Sequence, residues 1–133
     1  MDVQIDIELN QLLKFLEQHL ADFENIRIRR FIKRLEEIFE IDIIPNDEDK
    51  TSLIDAAYYS VLNFIDDLNQ KNKVNECRHY LKEVELQLRI EINYFSKKRR
   101  TEYKESINDE RLRLKQQYSD LHSGIISAVE DVI

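Results

Sequence analysis

The chain has 133 residues, is 42% hydrophobic and 35% charged, and carries a formal net charge of −7. That length suits one domain with a core that needs neither metal nor disulfide, and its richness in Ile, Leu, Phe and Tyr argues against intrinsic disorder. One Cys, one Gly and one Pro exclude an internal disulfide framework, Gly-rich phosphate loops and most of the residues that interrupt helices.

Met1 to Asp6 has neither the basic region nor the apolar run of a secretory leader, so a cytoplasmic location, in the source or a host cell, is expected. No apolar run approaches the ~20 residues that span a bilayer, and the densest stretch, Ile38 to Ile44, contains Glu40 and Asp42, so no membrane crossing is expected. Residues 1–72 hold 16 acidic and 8 basic side chains, and residues 73–133 hold 11 and 12. The first half therefore repels polyanions and the second tolerates them. High Ile, Asn and Lys with little Ala fits an AT-rich genome, such as that of a low-GC bacterium, a phage or a virus.

Residues Val3 to Leu9 alternate apolar and polar, a period-2 pattern that reads as a short strand or an extended arm over 1–8. From Leu9 the period becomes helical through Leu12, Leu13, Leu16, Leu20 and Phe23. A second helical run, Ile28, Phe31, Ile32, Leu35, Ile38 and Phe39, starts five residues after Phe23. Either the chain turns near Asp22 to Asn25, or one long helix rotates its buried face. The clearest break spans 41–50, because Pro45 disfavours helix at Ile44 and the run Asn46 to Asp49 supplies caps and helix-start acids. The next helix is predicted over Glu48 to Asn69, burying Ile54, Ala57, Tyr58, Val61, Ile65 and Leu68, with Asn72 capping the one after it.

Val74, Cys77, Leu81, Val84 and Leu88 keep the 3-4 spacing of a coiled-coil or bundle seam. Leu86, Ile90 and Tyr94 form a second apolar line on the same helix, which predicts neighbours on both sides. Beyond Phe95, the residues Tyr103, Ile107, Leu114, Tyr118, Leu121, Ile125, Val129 and Val132 continue the period. Two outcomes fit: one very long C-terminal helix, or a hairpin whose second helix starts at the cap-like Ser106 to Asp109. The first would need a partner, and the second would complete a self-contained bundle.

Glu36-Glu37-Ile38-Phe39-Glu40 reads EExxE and resembles the first metal-binding element of the all-α MazG and dimeric dUTPase type nucleotide pyrophosphatases. The resemblance implies that Glu36, Glu37 and Glu40 hold Mg²⁺ against substrate phosphates. It covers five residues, and the ExxD element that this family carries on the following helix is missing: Asp55 is followed three residues on by Tyr58. Glu76 and His79 have the ExxH spacing of di-iron carboxylate bundles, but neither His19 nor His122 completes a second such pair. Cys77 sits on the seam and reads as a small buried hydrophobe. No catalytic, cofactor or metal residue is therefore assigned.

Two basic stretches remain. Arg27, Arg30 and Arg34 fall on one helix face, with Arg29 and Lys33 beside them. Lys97, Lys98, Arg99 and Arg100 lead into Lys104, Arg111, Arg113 and Lys115, diluted by Glu102, Glu105, Asp109 and Glu110. If the patches at 27–34 and 97–115 converge, they attract phosphates; otherwise they flank apolar seams and pair with Glu. The sequence predicts a single all-α domain over 1–133, a bundle of four to five helices with coiled-coil-like seams. Its expected function is non-enzymatic protein–protein interaction, as an adaptor, inhibitor or assembly subunit, with a homo-oligomer or another protein as partner. A nucleic-acid-associated subunit is the alternative, and a Mg²⁺-dependent nucleotide pyrophosphatase the one after it.

Overall fold

The computed structural model describes residues 1–121, with side chains described for 1–94 and 108–115. It is all-α: α1 Val3–Leu20, α2 Asn25–Phe39, α3 Lys50–Gln70 and α4 Val74–Leu121. The chain divides into two units, Met1–Phe95 and Ser96–Ile133, and the first holds the hydrophobic core.

The N-terminal segment is helix, not the extended arm that its alternation predicts. Asp2 is the N-cap, its Oδ1 accepting from the Gln4 and Ile5 N–H groups at 2.8 and 3.2 Å. Ile5 and Leu9 then extend the buried stripe of Leu12, Leu13, Leu16 and Leu20 toward the N-terminus, while Val3 and Ile7 face outward. The period-2 reading fails because only half of the alternating apolar residues belong to the buried face.

The chain turns between α1 and α2, as one of the two sequence readings requires. Phe23 and Ile28, both core residues, flank an N-cap at Glu24 that makes no side-chain cap bond. They occupy the two places of a hydrophobic staple, which fixes the angle at which a chain enters a helix. At the far end of α2, Glu40 adopts the left-handed conformation with φ 56° and ψ 43°. This ends the helix with the Ile41 N–H bonded to the Glu36 carbonyl at 3.3 Å, the pattern Gly usually supplies.

The break around Pro45 is a crossover strap. Phe39, at the end of α2, stacks on Phe64 of α3 at 4.2 Å between ring centroids. Glu48, just before α3, accepts from Asn25 and pairs with Arg29 at the start of α2. The two helices therefore run parallel, and residues 40–49 return along the length of α2. Ten extended residues reach up to ~33 Å, ample for a helix of about 22 Å. Buried Ile43 pins the strap midway, its N–H donating to Glu36 Oε2 at 3.2 Å.

α3 starts two residues later than Glu48: Asp49 is the cap, its Oδ1 accepting from the Ser52 N–H at 2.7 Å. Its buried line is Leu53, Ala57, Val61, Ile65 and Asn69, and the predicted Ile54, Tyr58 and Leu68 are only half-buried on its flanks. The face shifts because α3 packs against both α1 and α2, which have little direct contact with each other. Asn72 does not cap α4 as predicted. With φ 58° it terminates α3, the Lys73 N–H bonding to the Leu68 carbonyl and its own N–H to that of Asn69, each at 3.0 Å, a Schellman turn.

The α4 seam is as read, with Cys77, Leu81, Val84 and Leu88 buried and Val74 half-buried. α4 remains helical through 95–107, so the helix start at Ser106 to Asp109 is not used. The C-terminal positions Ile125, Val129 and Val132 lie outside the described residues, as do the side chains of Tyr103, Ile107, Tyr118 and Leu121.

One end of the first unit is closed by a buried amide. Asn69 is fully buried; its Oδ1 accepts from the Asp2 N–H at 2.9 Å, and its Nδ2 donates to the Asp2 carbonyl and to Asp6 Oδ1, both at 3.1 Å. These bonds tie the first turn of α1 to the last turn of α3. We predict that Asn69→Ala lowers the unfolding free energy by about 2 kcal/mol, because it removes three hydrogen bonds and leaves the part-buried Asp2 N–H without its partner. Urea denaturation followed by circular dichroism measures this, and a change under about 0.5 kcal/mol, the range of an ordinary surface substitution, contradicts it.

Candidate interaction surface

The arginines of α2 do not form one free patch. Arg27 is buried, with 7% exposure, against Glu91 of α4, itself at 6%; the two join by Arg27 Nη1 to Glu91 Oε2 at 2.9 Å. The Arg27 guanidinium also lies 4.1 Å from the Tyr94 ring centroid, with Arg30 on the same ring at 5.6 Å. Arg34 pairs with Glu37 at 3.1 Å, and Arg29 with Glu48. Arg27 is thus an internal strut between α2 and α4, and only the outer arginines meet solvent. Lys97, Lys98, Arg99 and Arg100 are on α4, and their side chains lie outside the described residues. Arg111, Arg113 and Lys115 are exposed, with Arg113 paired to Glu110 at 2.6 Å.

Taking charges out of water is costly, so each partner depends on the other. Removing one member of such a pair typically costs 3–5 kcal/mol, whereas replacing both by apolar residues of similar size is often neutral. The aromatic face of Tyr94 adds an attraction of about 0.5–2 kcal/mol. The sequence carried a signal for this site: Glu91 follows Leu88 at the next seam position, where an apolar residue is expected.

With Glu91 and the seam turned inward, the second apolar line of α4 faces out. Leu86, Ile90 and Tyr94 are 50%, 48% and 49% exposed, at four-residue intervals on one face. Within the first unit each stays about half exposed, with Arg27 and Arg30 lying on the Tyr94 ring. The opposite flank of this segment packs toward α1, where Arg89 lies over the Phe15 ring at 5.1 Å and bonds Glu85 at 2.9 Å. A shallow groove there is lined by Glu8, Leu12, Phe15, Arg78 and Lys82.

The EExxE carboxylates do not fit a metal. Glu36 accepts from Ile43, Glu37 pairs with Arg34, and Glu40 has left the helix in its left-handed turn. Among the described residues no group of three His, Cys, Asp or Glu side chains is placed to share a metal ion. His79 is exposed and edge-on to Tyr80 at 5.1 Å, not joined with Glu76 in a ligand set. The Cys77 thiol is buried and donates to the Ile65 carbonyl at 3.6 Å. Burial, then the nearby Glu76, Asp2 and Asp66 carboxylates, raise its pKa above the ordinary 9.0.

No known family model matches this chain. Comparison with curated proteins and with solved structures likewise returns no match. Among the described residues, no helix is long and apolar enough to cross a membrane. The fold defines the class: an all-α helical bundle.

Two measurements probe these interior groups. Glu91→Gln is expected to destabilise the bundle by about 3 kcal/mol in urea, while Arg27→Met with Glu91→Leu returns to within about 1 kcal/mol of the parent; equal losses in both would contradict a mutually dependent pair. The unfolded Cys77 thiol ionises at lower pH than the folded one, so this group makes stability fall as pH rises through 9.0. Cys77→Ala should therefore show a shallower alkaline loss than the parent, and parallel slopes would contradict it.

Proposed function

We propose that the protein is a non-enzymatic interaction module that works by presenting the outward face of α4 to another protein surface. The observation that carries this reading is the line Leu86, Ile90 and Tyr94, each about half exposed on a bundle whose core is otherwise closed. Exposed apolar residues scattered singly are ordinary, but a line of three on one helix face is the geometry of helix-to-helix docking. Tyr94 is suited to such a contact, since Arg27 and Arg30 hold its ring in place and little freedom is lost on binding. The nucleic-acid reading has less support, because Arg27 is internal and Arg29 and Arg34 are paired with carboxylates. The pyrophosphatase reading has less again, since its three carboxylates are engaged separately.

A photoreactive amino acid at position 90, in the full chain expressed in its own cell, tests this. Irradiation is expected to give a discrete protein adduct, with a second copy or with a different protein. The same probe at exposed Gln18 on α1 should give none. Absence of any adduct from positions 86, 90 and 94 would overturn the proposal.

A further inference from the structure

We infer that the cleft between the strap and α3 docks a basic segment of another protein, which seats a side chain on Ile44 and Tyr59 and sets its cations against Asp42 and Asp55. This surface is distinct from the outward face of α4 and does not rest on it. The cleft, of about 340 Å³, lies between Ile44 and Pro45 of the strap and Ala56, Tyr59 and Asn63 of α3. That is the small end for a ligand pocket and suits an anchoring side chain.

Local structure forces apolar side chains to the surface here. Successive side chains of an extended chain point to opposite sides, so burying Ile43 turns Ile44 out, and Pro45 keeps Ile44 extended. Ile44 is 86% exposed, more than any other large hydrophobic side chain described, and Tyr59 is 54% exposed. Tyr59 falls midway in sequence between buried Ala57 and Val61, and so on the far side of α3 from them. Its ring meets that of Tyr58 edge-on at 5.2 Å. Both anchors stand on backbone that is already fixed, which lowers the entropy lost on docking.

The charges around these anchors define the occupant. Residues 40–55 hold six carboxylates and one base, Lys50. Glu48 is taken by Arg29, Asp47 receives the Glu48 N–H, and Asp49 caps α3. Asp42 and Asp55, which line the cleft, make no hydrogen bond or ion pair among the described residues. Carboxylates left open beside exposed apolar side chains attract lysine and arginine and repel an acidic or phosphate-bearing partner. Asp55 and Tyr59 are one turn apart on α3, so a lysine or arginine stem laid across the Tyr59 ring brings its charge to Asp55. A second copy is a poor occupant, because the first unit holds 20 acidic and 12 basic side chains. A metal ion is another, since among the described residues no three ligand side chains converge.

A photoreactive amino acid at position 44, in the full chain expressed in its own cell, tests this when the crosslinked segment is sequenced. The expected adduct is a segment of another protein in which lysine and arginine outnumber acids. A synthetic peptide of that segment is then titrated against the purified full chain by fluorescence anisotropy. Asp42→Lys with Asp55→Lys, and separately Tyr59→Ser, should each weaken binding about 10-fold, and 0.5 M salt should weaken it too. Glu17→Lys, exposed on α1, should change it less than about 2-fold. Urea midpoints confirm that every variant is folded. No adduct at position 44, an adduct with an acidic or uncharged segment, or one with a second copy overturns the inference. So does a Glu17→Lys loss equal to that of the cleft variants, which is general attraction to an acidic protein. Adducts from position 90 but none from 44 overturn it while leaving the α4 reading in place.

Discussion

The orientation of α4 about its own axis is the constraint on which the rest of the molecule depends, and two polar contacts set it along with the apolar seam. At one end of the bundle, Asn69 ties α1 to α3 just before the short link into α4. At the other, Arg27 of α2 holds Glu91 inside. A slip of one residue in α4 would carry Glu91 out of reach of Arg27 and leave an uncompensated buried cation. Hydrophobic burial alone would tolerate such a slip more readily, since Leu, Ile and Val can exchange places at modest cost. The buried pair thus fixes which α4 residues point inward and, by difference, that Leu86 and Ile90 point out.

The same geometry explains how an acidic protein uses its cations. The α2 arginines are distributed by depth: Arg27 neutralises a carboxylate within the core, Arg29 fastens the strap through Glu48, and Arg34 meets Glu37 at the surface. None of these tasks needs an external anion. The exposed pairs contribute little to stability, about 0–1 kcal/mol each, and weaken with salt, whereas the internal one is shielded from screening. Lysines and arginines on one helix wheel are therefore a poor guide to a phosphate site until the depth of each is known.

Much of this fold was legible in the chain. The seam of α4, the break at Pro45 and the apolar faces of α1 and α2 follow from periodicity, because burial of one helical stripe is the dominant local demand. The offset from Phe23 to Ile28 was visible too, but it admitted two meanings until the staple resolved it as a turn. What remained hidden depends on distant partners. Nothing near Arg27 marks it as internal, since its partner is 64 residues away. Nor does the strap sequence say that it runs back along α2 instead of reversing the chain. The face of α3 moved for the same reason: two neighbours share it, and local pattern cannot say where they divide it. The outward line on α4 was read correctly as apolar, but periodicity reports chemistry and not which helix, of this chain or another, meets it.

The parallel course of α2 and α3 has a consequence for how the protein is made. α1 and α2 are synthesised before α3, yet they have little contact with each other and pack against it, with Arg27 of α2 reaching on to α4. Their apolar stripes therefore have no native cover until α3 has emerged. The antiparallel pair formed by α3 and the start of α4, joined by a three-residue link, supplies the surface for both. Vectorial synthesis thus delivers the flanks before the centre, and the first unit can complete itself only once Glu91 has left the ribosome. Until then, the nascent chain exposes the kind of surface that chaperones hold.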